Sequence, residues 1–342
     1  MMSADGPISL DEALRTAVDA SEAARGRTSP NPPVGAVILD RDGIVVGVGS
    51  TRPPGGPHAE IVALQRAGTS ARGGTAVVTL EPCNHTGRTG PCSRALIDAG
   101  ITRVLYSVAD PNPLAEGGAR TLADAGVLVE AGLGAEVVSR GPLRAWLHKQ
   151  RTGRPHVTLK YAASLDGRSA AADGTSRWIT GQGARAHVHA HRSKLDAIIV
   201  GTGTVFADDP LLTARLADGT NSPHQPTRVV FGLRQVPRTA RILGDDAPTV
   251  FVHSRDPREV IEALAEHTDV LLEGGPTVAG AFLAAGLVDR IIAYIAPTVL
   301  GSGLSAVENA GVGTISEAKR FTFESVDSID GDIVVSAVPD RQ

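Results

Sequence analysis

Apolar and polar positions follow one another along this chain in blocks that predict alternating helices and strands. Over residues 8–25, Leu10, Ala13, Leu14, Ala17 and Val18 recur at helical spacing, which predicts an amphipathic helix. Short apolar runs at 34–39 and 44–48 flank Asp40-Arg41-Asp42-Gly43 and predict a hairpin. A helix opening at His58 and ended by Gly68, a buried strand over 75–80, a short helix from Cys92 to Ala99 and a strand over 103–108 follow. A helix at 119–125 and a strand at 127–130 complete a pattern that predicts an α/β sandwich.

The segment Lys149-Gln150-Arg151-Thr152-Gly153-Arg154-Pro155 is polar, basic and broken by Gly and Pro. It marks the expected boundary between a domain at 1–148 and another at 149–342. Beyond it, strands are expected at 156–163, 196–200, 227–232, 248–252 and 269–273, and helices near 183–192 and 276–285. Apolar strands at 288–296, 321–327 and 332–338 close a second α/β domain in an antiparallel-looking set. A length of 342 residues agrees, since single cores rarely grow past roughly 250–300 residues.

Composition narrows the partners. Aromatics at 3% give little from which to build stacking platforms for single-stranded nucleic acid. A net charge of −4 shows no global basic footprint, leaving small phosphorylated ligands that need only a local pocket. The N-terminus lacks a basic stretch followed by an apolar core, and no apolar run reaches the roughly 20 residues that span a bilayer. A cytoplasmic protein, without membrane or nucleic-acid partners and forming a homo-oligomer, is expected.

The chain has two cysteines, Cys83 and Cys92, and His58-Ala59-Glu60 lies upstream of them. One imidazole and two thiolates suit a catalytic zinc whose fourth position stays open for water. Their setting after Glu81-Pro82 and before a helical stretch, with His58-Ala59-Glu60 upstream, favours metal binding over a disulfide. Glu60 is placed to move protons, in the pattern H-x-E…P-C-x-x-C of zinc deaminases. Zinc lowers the pKa of bound water towards about 7, and Glu60 would carry its proton to a ring nitrogen and then to a departing amine. Here eight residues, not two, separate the cysteines.

Together, Thr28-Ser29-Pro30-Asn31-Pro32-Pro33-Val34-Gly35, His58-Ala59-Glu60, Leu80-Glu81-Pro82-Cys83, Gly87-Arg88-Thr89 with Cys92, and Asp110-Pro111-Asn112-Pro113 resemble the bifunctional riboflavin-biosynthesis deaminase/reductases. The resemblance implies a cytidine-deaminase-like three-layer sandwich in which His58, Cys83 and Cys92 bind zinc and Glu60 is the proton donor. It further implies that Asn31, His85, Arg88, Thr89, Asp110 and Asn112 line a pocket for a ribosylated diaminopyrimidinone phosphate. Arg88 and Thr89 suit a phosphate, and Asn31 and Asp110 the edge of a polar heterocycle. Gly90 stands where the family usually has proline, which loosens the loop before Cys92 but removes no ligand.

In the second half, Lys160 to Arg168, Ser176-Arg177-Trp178, Gly201-Thr202-Gly203-Thr204-Val205 and Leu212-Thr213-Ala214-Arg215 precede Glu273-Gly274-Gly275-Pro276-Thr277. The glycine pair between strand and helix can offer backbone N–H groups to a phosphate, but no G-x-G-x-x-G is present. These motifs resemble the dihydrofolate-reductase-like domain of the same family, over about residues 156–338. The resemblance implies NADPH contacts at Ala162, Trp178, Thr204, Asp208 and along Gly275, Pro276, Thr277, Val278, Ala279, Gly280 and Ala281. It implies substrate contacts at Ser176, Arg192, Leu212, Arg215 and Glu273, with Lys160 a further candidate. His187, His189 and His191 lack an evident acidic or thiol partner and read as a solvated helix face.

The function expected is zinc-assisted deamination of a pyrimidinone ribosyl phosphate, then NADPH-dependent reduction of its ribosyl group to ribityl. A nucleic-acid base-editing deaminase shares the His-Ala-Glu pattern, but the cysteine spacing, the charge and the second domain argue against it. A zinc-stabilised binding module would have no need of Glu60.

Overall fold

The computed structural model describes residues 6–85 and 90–340. The chain divides into two compact units, Met1–Gly153 and Arg154–Gln342.

The first unit comprises α1 (Leu10–Ala24), β1 (Gly35–Leu39), β2 (Val45–Ser50), α2 (Ala59–Ala67), β3 (Thr75–Leu80), α3 (Cys92–Asp98), β4 (Arg103–Val108), α4 (Gly118–Asp124), β5 (Leu128–Ala131), α5 (Ala135–Arg140) and α6 (Arg144–Thr152). Helix α1 starts where Ser9 and Glu12 form a reciprocal capping box. The sheet runs β2-β1-β3-β4-β5, with β1 antiparallel to β2 and β3, and β3, β4 and β5 parallel. A Cβ on Gly35 would meet the Ala17 carbonyl oxygen of α1, whereas one on Gly49 would meet that of Ala59 in α2. Gly49 pairs with Ala36, the neighbour of Gly35, so α1 and α2 cover opposite faces of the sheet. That is the three-layer sandwich.

The second unit comprises β6 (His156–Ser164), α7 (Gln182–Arg192), β7 (Ala197–Gly201), α8 (Thr202–Asp208), β8 (Thr227–Phe231), β9 (Thr249–Val252), α9 (Pro257–Ala263), β10 (Asp269–Leu272), α10 (Pro276–Ala284), β11 (Arg290–Ala296), β12 (Phe321–Ile329) and β13 (Asp332–Pro339). Its sheet runs β12-β13-β11-β6-β10-β7-β8-β9. From β11 to β9 every pairing is parallel, and β13 and β12 add an antiparallel edge. Alternation along β7 and β10 supplies two cores: Ile199 and Leu272 enter one, Ile198 and Leu271 the other.

Four helices were not expected. Helices α5, α8 and α9 are only six or seven residues long, too short for a clear helical period. Helix α6 crosses the expected break at 148/149, and the chain turns only at Gly153, in the left-handed region at φ 74°. Trp146 and Leu147 are buried in the first core, so the polar stretch read as a linker begins on the outer face of a helix. Strand β11, grouped with the antiparallel strands in the sequence reading, pairs parallel with β6 on one side and antiparallel with β13 on the other. Among the described residues no helix is long and apolar enough to cross a membrane.

Candidate functional site

The first cleft gathers its donors at helix starts and at a strand end. His58 is the N-cap residue of α2 and makes no side-chain capping bond, which leaves its ring free. Cys83 follows β3 through the Glu81-Pro82 turn, and Cys92 is the first residue of α3. His58 Nδ1 lies 3.5 Å from Cys83 Sγ and 3.4 Å from Cys92 Sγ, and the three donor atoms all fall within 4.8 Å of one another. With metal–ligand bonds of about 2.0–2.1 Å to nitrogen and 2.3 Å to sulfur, a tetrahedral N–S edge spans roughly 3.5 Å. The donor set therefore fits zinc in both chemistry and spacing.

The electrostatics agree. Hydrogen bonding with Cys92 and with His58 holds the Cys83 thiol down at about 4, while its bond to Cys83 and burial push Cys92 up. A bound divalent cation would replace the thiol protons and hold both sulfurs as thiolates. Glu60, in the first turn of α2, is 4% exposed and stands outside the donor cluster. Burial, assisted by the Cys83 charge, pushes its carboxyl up to about 7.

A cavity of ≈ 200 Å³ opens beside this cluster. Asn31, His85, Asp110 and Asn112 line it together with His58, Glu60 and Cys83. Arg88 and Thr89 lie outside the described residues. Asp110 is buried, and desolvation raises its carboxyl; its Oδ1 accepts from the Asn112 backbone, so it shapes its own turn as well. Thr51, Glu81, Trp146 and Gln150 also line the cavity and were missed. Trp146 and Gln150 were hidden because α6 was not recognised. Glu81 stood within a quoted motif without a role; it accepts from the backbone N–H groups of Asp110, Gly117 and Ala119 and ties the cysteine strand to the Asp110 loop.

The second unit carries a cleft of ≈ 1160 Å³ over the C-terminal ends of its parallel strands. Lys160 from β6, Arg192 from α7 and Glu273 just after β10 meet at its floor. Arg192 donates to both Glu273 oxygens at 2.7 and 2.8 Å, and Lys160 Nζ lies 3.8 Å from the same carboxylate. Burial alone would raise Glu273, but Arg192 and Lys160 outweigh it and hold it at about 2. Lys160 is lowered by burial. Ser176, Leu212 and Arg215 complete the expected substrate set on these walls. Trp178 is 69% exposed and lines the same cleft, with the Arg185 guanidinium 4.5 Å from its ring centre.

An adjoining cavity of ≈ 820 Å³ shares Lys160, Ala162, Thr204, Asp208 and Glu273 with the first. Gly275, Pro276, Thr277, Val278 and Ala281 line it, whereas Ala279 and Gly280 turn into the protein and are buried. Gly275 caps α10 without a side-chain bond, so the first N–H groups of that helix remain available to an anion. This fits the pyrophosphate of a dinucleotide. Trp178, expected to contact NADPH, is not among the lining of this cavity.

The histidines of α7 differ from the solvated face expected of them. His187 Nδ1 lies 2.7 Å from the buried Tyr294 hydroxyl, and His189 Nδ1 lies 3.1 Å from the Thr213 carbonyl. Both line the larger cleft, and burial lowers both. The partners come from β11 and the Thr213 loop, far away in sequence, so helical spacing could not reveal them.

Residues 155–335 match the family described as the RibD C-terminal domain, and residues 8–108 the cytidine and deoxycytidylate deaminase zinc-binding region. The riboflavin biosynthesis protein RibD of Mycobacterium tuberculosis is 56% identical over 330 residues, covering 96% of this chain and 97% of that protein. The protein of the same name from Escherichia coli is 41% identical, covering 92% and 96%. A diaminohydroxyphosphoribosylaminopyrimidine deaminase/5-amino-6-(5-phosphoribosylamino)uracil reductase structure from Thermotoga maritima superposes with a TM-score of 0.87 at 32% identity, covering 96% of this chain and 98% of that one. The Acinetobacter baumannii RibD structure gives 0.85 at 36% identity, covering 97% and 99%.

Proposed function

Because the chain belongs to the family of bifunctional riboflavin biosynthesis proteins, we propose that its two clefts perform the family's two reactions with the residues described above. The protein is a zinc-dependent deaminase joined to an NADPH-dependent reductase. The first unit converts 2,5-diamino-6-ribosylamino-4(3H)-pyrimidinone 5′-phosphate to 5-amino-6-(5-phosphoribosylamino)uracil. The second reduces the ribosyl group to ribityl. The observation that carries the assignment of residues is the cluster of His58 Nδ1 and the two cysteine sulfurs with buried Glu60 beside it.

When bound, zinc supplies Lewis acidity that brings water towards ionisation near neutral pH. Glu60 does the proton work. Its raised affinity for a proton suits a group that accepts from water, delivers to a ring nitrogen and finally protonates the leaving amine. Asn31, Asp110 and Asn112 orient the heterocycle from the far wall, and Arg88 and Thr89 take its phosphate. His58 would hold the metal through Nδ1, the ring nitrogen that lies beside both cysteine sulfurs.

When bound, NADPH supplies the hydride. Reduction at C1′ opens the sugar ring, so the ring oxygen must gain a proton. Lys160 stands on the cleft floor with its proton affinity lowered by burial and is suited to deliver that proton, while Glu273 and Arg192 fix its position. Ser176 and Arg215 face the substrate. The net charge of −4 supports a small-molecule substrate over nucleic acid, and a cytoplasmic homo-oligomer is part of the same proposal.

Turnover of the diaminopyrimidinone phosphate with and without NADPH, alongside metal analysis, tests the proposal. Deamination alone without NADPH, and ribityl product with it, are the expected results. Deamination undiminished in zinc-free protein would overturn the assignment of the first cleft.

A further inference from the structure

Lys160 stands between two neighbours that one helix holds. It lies on β6, with β11 on one side and β10 on the other. Leu272 of β10 is registered against Leu159, so Glu273 comes next to Lys160 in the parallel pair. On the other side Ile292 is registered against Lys160, and Tyr294, two residues further along β11, points to the same face of the sheet. There the Lys160 ammonium lies over the Tyr294 ring, 5.6 Å from its centre, within the reach of a cation–π contact. Glu273 at 3.8 Å is beyond hydrogen-bond distance, which leaves the N–H donors of the ammonium for a ligand.

Helix α7 covers that face, with Ala184 and Val188 packed among Ile292 and Tyr294. From this helix Arg192 grips Glu273, and His187, five residues earlier, meets the Tyr294 hydroxyl at 2.7 Å. Both groups that flank Lys160 are thus tied to α7. Tyr294 is buried; burial raises the proton affinity of its hydroxyl and lowers that of His187, so the bond joins two neutral groups near neutral pH. The charges that act on His187 are Asp327 of β12, Arg290 of β11 and Lys194 just past α7, while Glu273 and Arg290 act on Tyr294. Those that act on Lys160 are Glu273 and Arg192. His187 and Tyr294 both line the substrate cleft, and neither is among the lining of the dinucleotide cavity.

We propose that Tyr294 and His187 are positioning residues of the reductase: the histidine fixes the tyrosine ring, and the ring face holds the Lys160 ammonium where the ring oxygen of the sugar receives its proton. The proposal rests on the reading that Lys160 delivers that proton. Glu273, tied to Arg192, restrains the ammonium from the β10 side only. The Tyr294 ring restrains it from the β11 side, and the hydrogen bond to His187 keeps the ring from shifting. Its negative face also favours the charged amine, against the burial that works the other way.

The test is steady-state reduction of 5-amino-6-(5-phosphoribosylamino)uracil by the full chain, followed across neutral and alkaline pH. Tyr294→Phe keeps the ring and loses its bond to His187; kcat is expected to fall roughly tenfold, with KM for NADPH changed by no more than about twofold. His187→Ala should give the same loss, and the double variant no more than either single one, because both act through one bond. His187→Asn, whose amide can reach the position of Nδ1, should recover part of the rate. Tyr294→Leu removes the π face, so the alkaline limb of kcat, set by loss of the Lys160 proton, should move down by about half to one pH unit. In Tyr294→Phe that limb should stay in place. NADPH affinity equal to that of wild type verifies that the second unit of each variant folds. Undiminished reduction by Tyr294→Phe, losses that add in the double variant, or an alkaline limb unmoved in Tyr294→Leu would overturn the proposal. Lys160→Met distinguishes the two failures: reduction at the wild-type rate by that variant would overturn the reading of Lys160 as the proton donor.

Discussion

Arg192 grips Glu273 edge-on, with Nε and Nη2 donating to the two carboxylate oxygens at 2.7 and 2.8 Å on the cleft floor. The pair links the end of α7 to the turn after β10, and Lys160 leans on the same carboxylate. Glu273 is held at about 2 against a usual value of 4.5, so folding favours its charged form. A lowered carboxylate contributes its stability above the unfolded value and loses it as pH falls towards the folded one. Glu273→Gln should therefore destabilise the second unit by roughly 3 kcal/mol near neutral pH. The deficit should shrink as pH falls from about 4.5 towards 2. Urea unfolding at a series of pH values checks this; a deficit that stays constant on acidification would contradict the arrangement.

Glu60→Gln removes a carboxylate that is not part of the donor cluster. Zinc content should stay at the wild-type level while deamination falls by roughly 10²–10⁴-fold. Reduction of supplied 5-amino-6-(5-phosphoribosylamino)uracil should continue, since the second cleft lies entirely within its own unit. Near-normal deamination by this variant would remove Glu60 from the mechanism.

Removal of zinc should unmask both thiols together. Cys83 and Cys92 are the chain's full complement of cysteine, so a thiol reagent reads the metal site directly. The zinc-loaded protein is expected to react slowly. After chelation, two thiols per chain should titrate, with the first unit losing thermal stability and NADPH affinity unchanged. Rapid reaction of one cysteine in the loaded protein would show that it is not a ligand.

How much of this was legible beforehand depended on the range of the interactions. The zinc donors and Glu60 sit at element starts and carry side chains whose chemistry is specific, so order and spacing revealed them. The pairing of His187 with Tyr294 arises from strand order, which places β11 where no local pattern indicates. Trp146 and Gln150 were lost for a different reason. A helix with a charged outer face ending at a glycine looks like a linker until its inner face is seen packed. Ala279 and Gly280 fell within a motif of the correct family, but they lie one turn into α10 on the face that, with Phe282 and Leu283, packs on the core.

The placement of Glu60 also depends on how closely its helix packs on β2. Gly47 and Gly49 of β2 lie beneath α2, and a Cβ at either would come within 2.1 Å of a helix carbonyl oxygen, Ala63 or Ala59 respectively. No side chain can yield there, because the obstructing atoms are backbone. Gly49→Ala must lift the first turn of α2, which carries His58 and Glu60, away from the sheet. Overpacking of this kind costs about 1–3 kcal/mol. The displaced His58 should weaken zinc binding, whereas Gly68→Ala, whose Cβ would meet no atom within 4 Å, should destabilise through its positive φ without changing metal affinity. Zinc competition with a chromogenic chelator, run beside thermal unfolding, separates the two variants. Equal metal affinity in Gly49→Ala and wild type would show that the site tolerates a shift of α2.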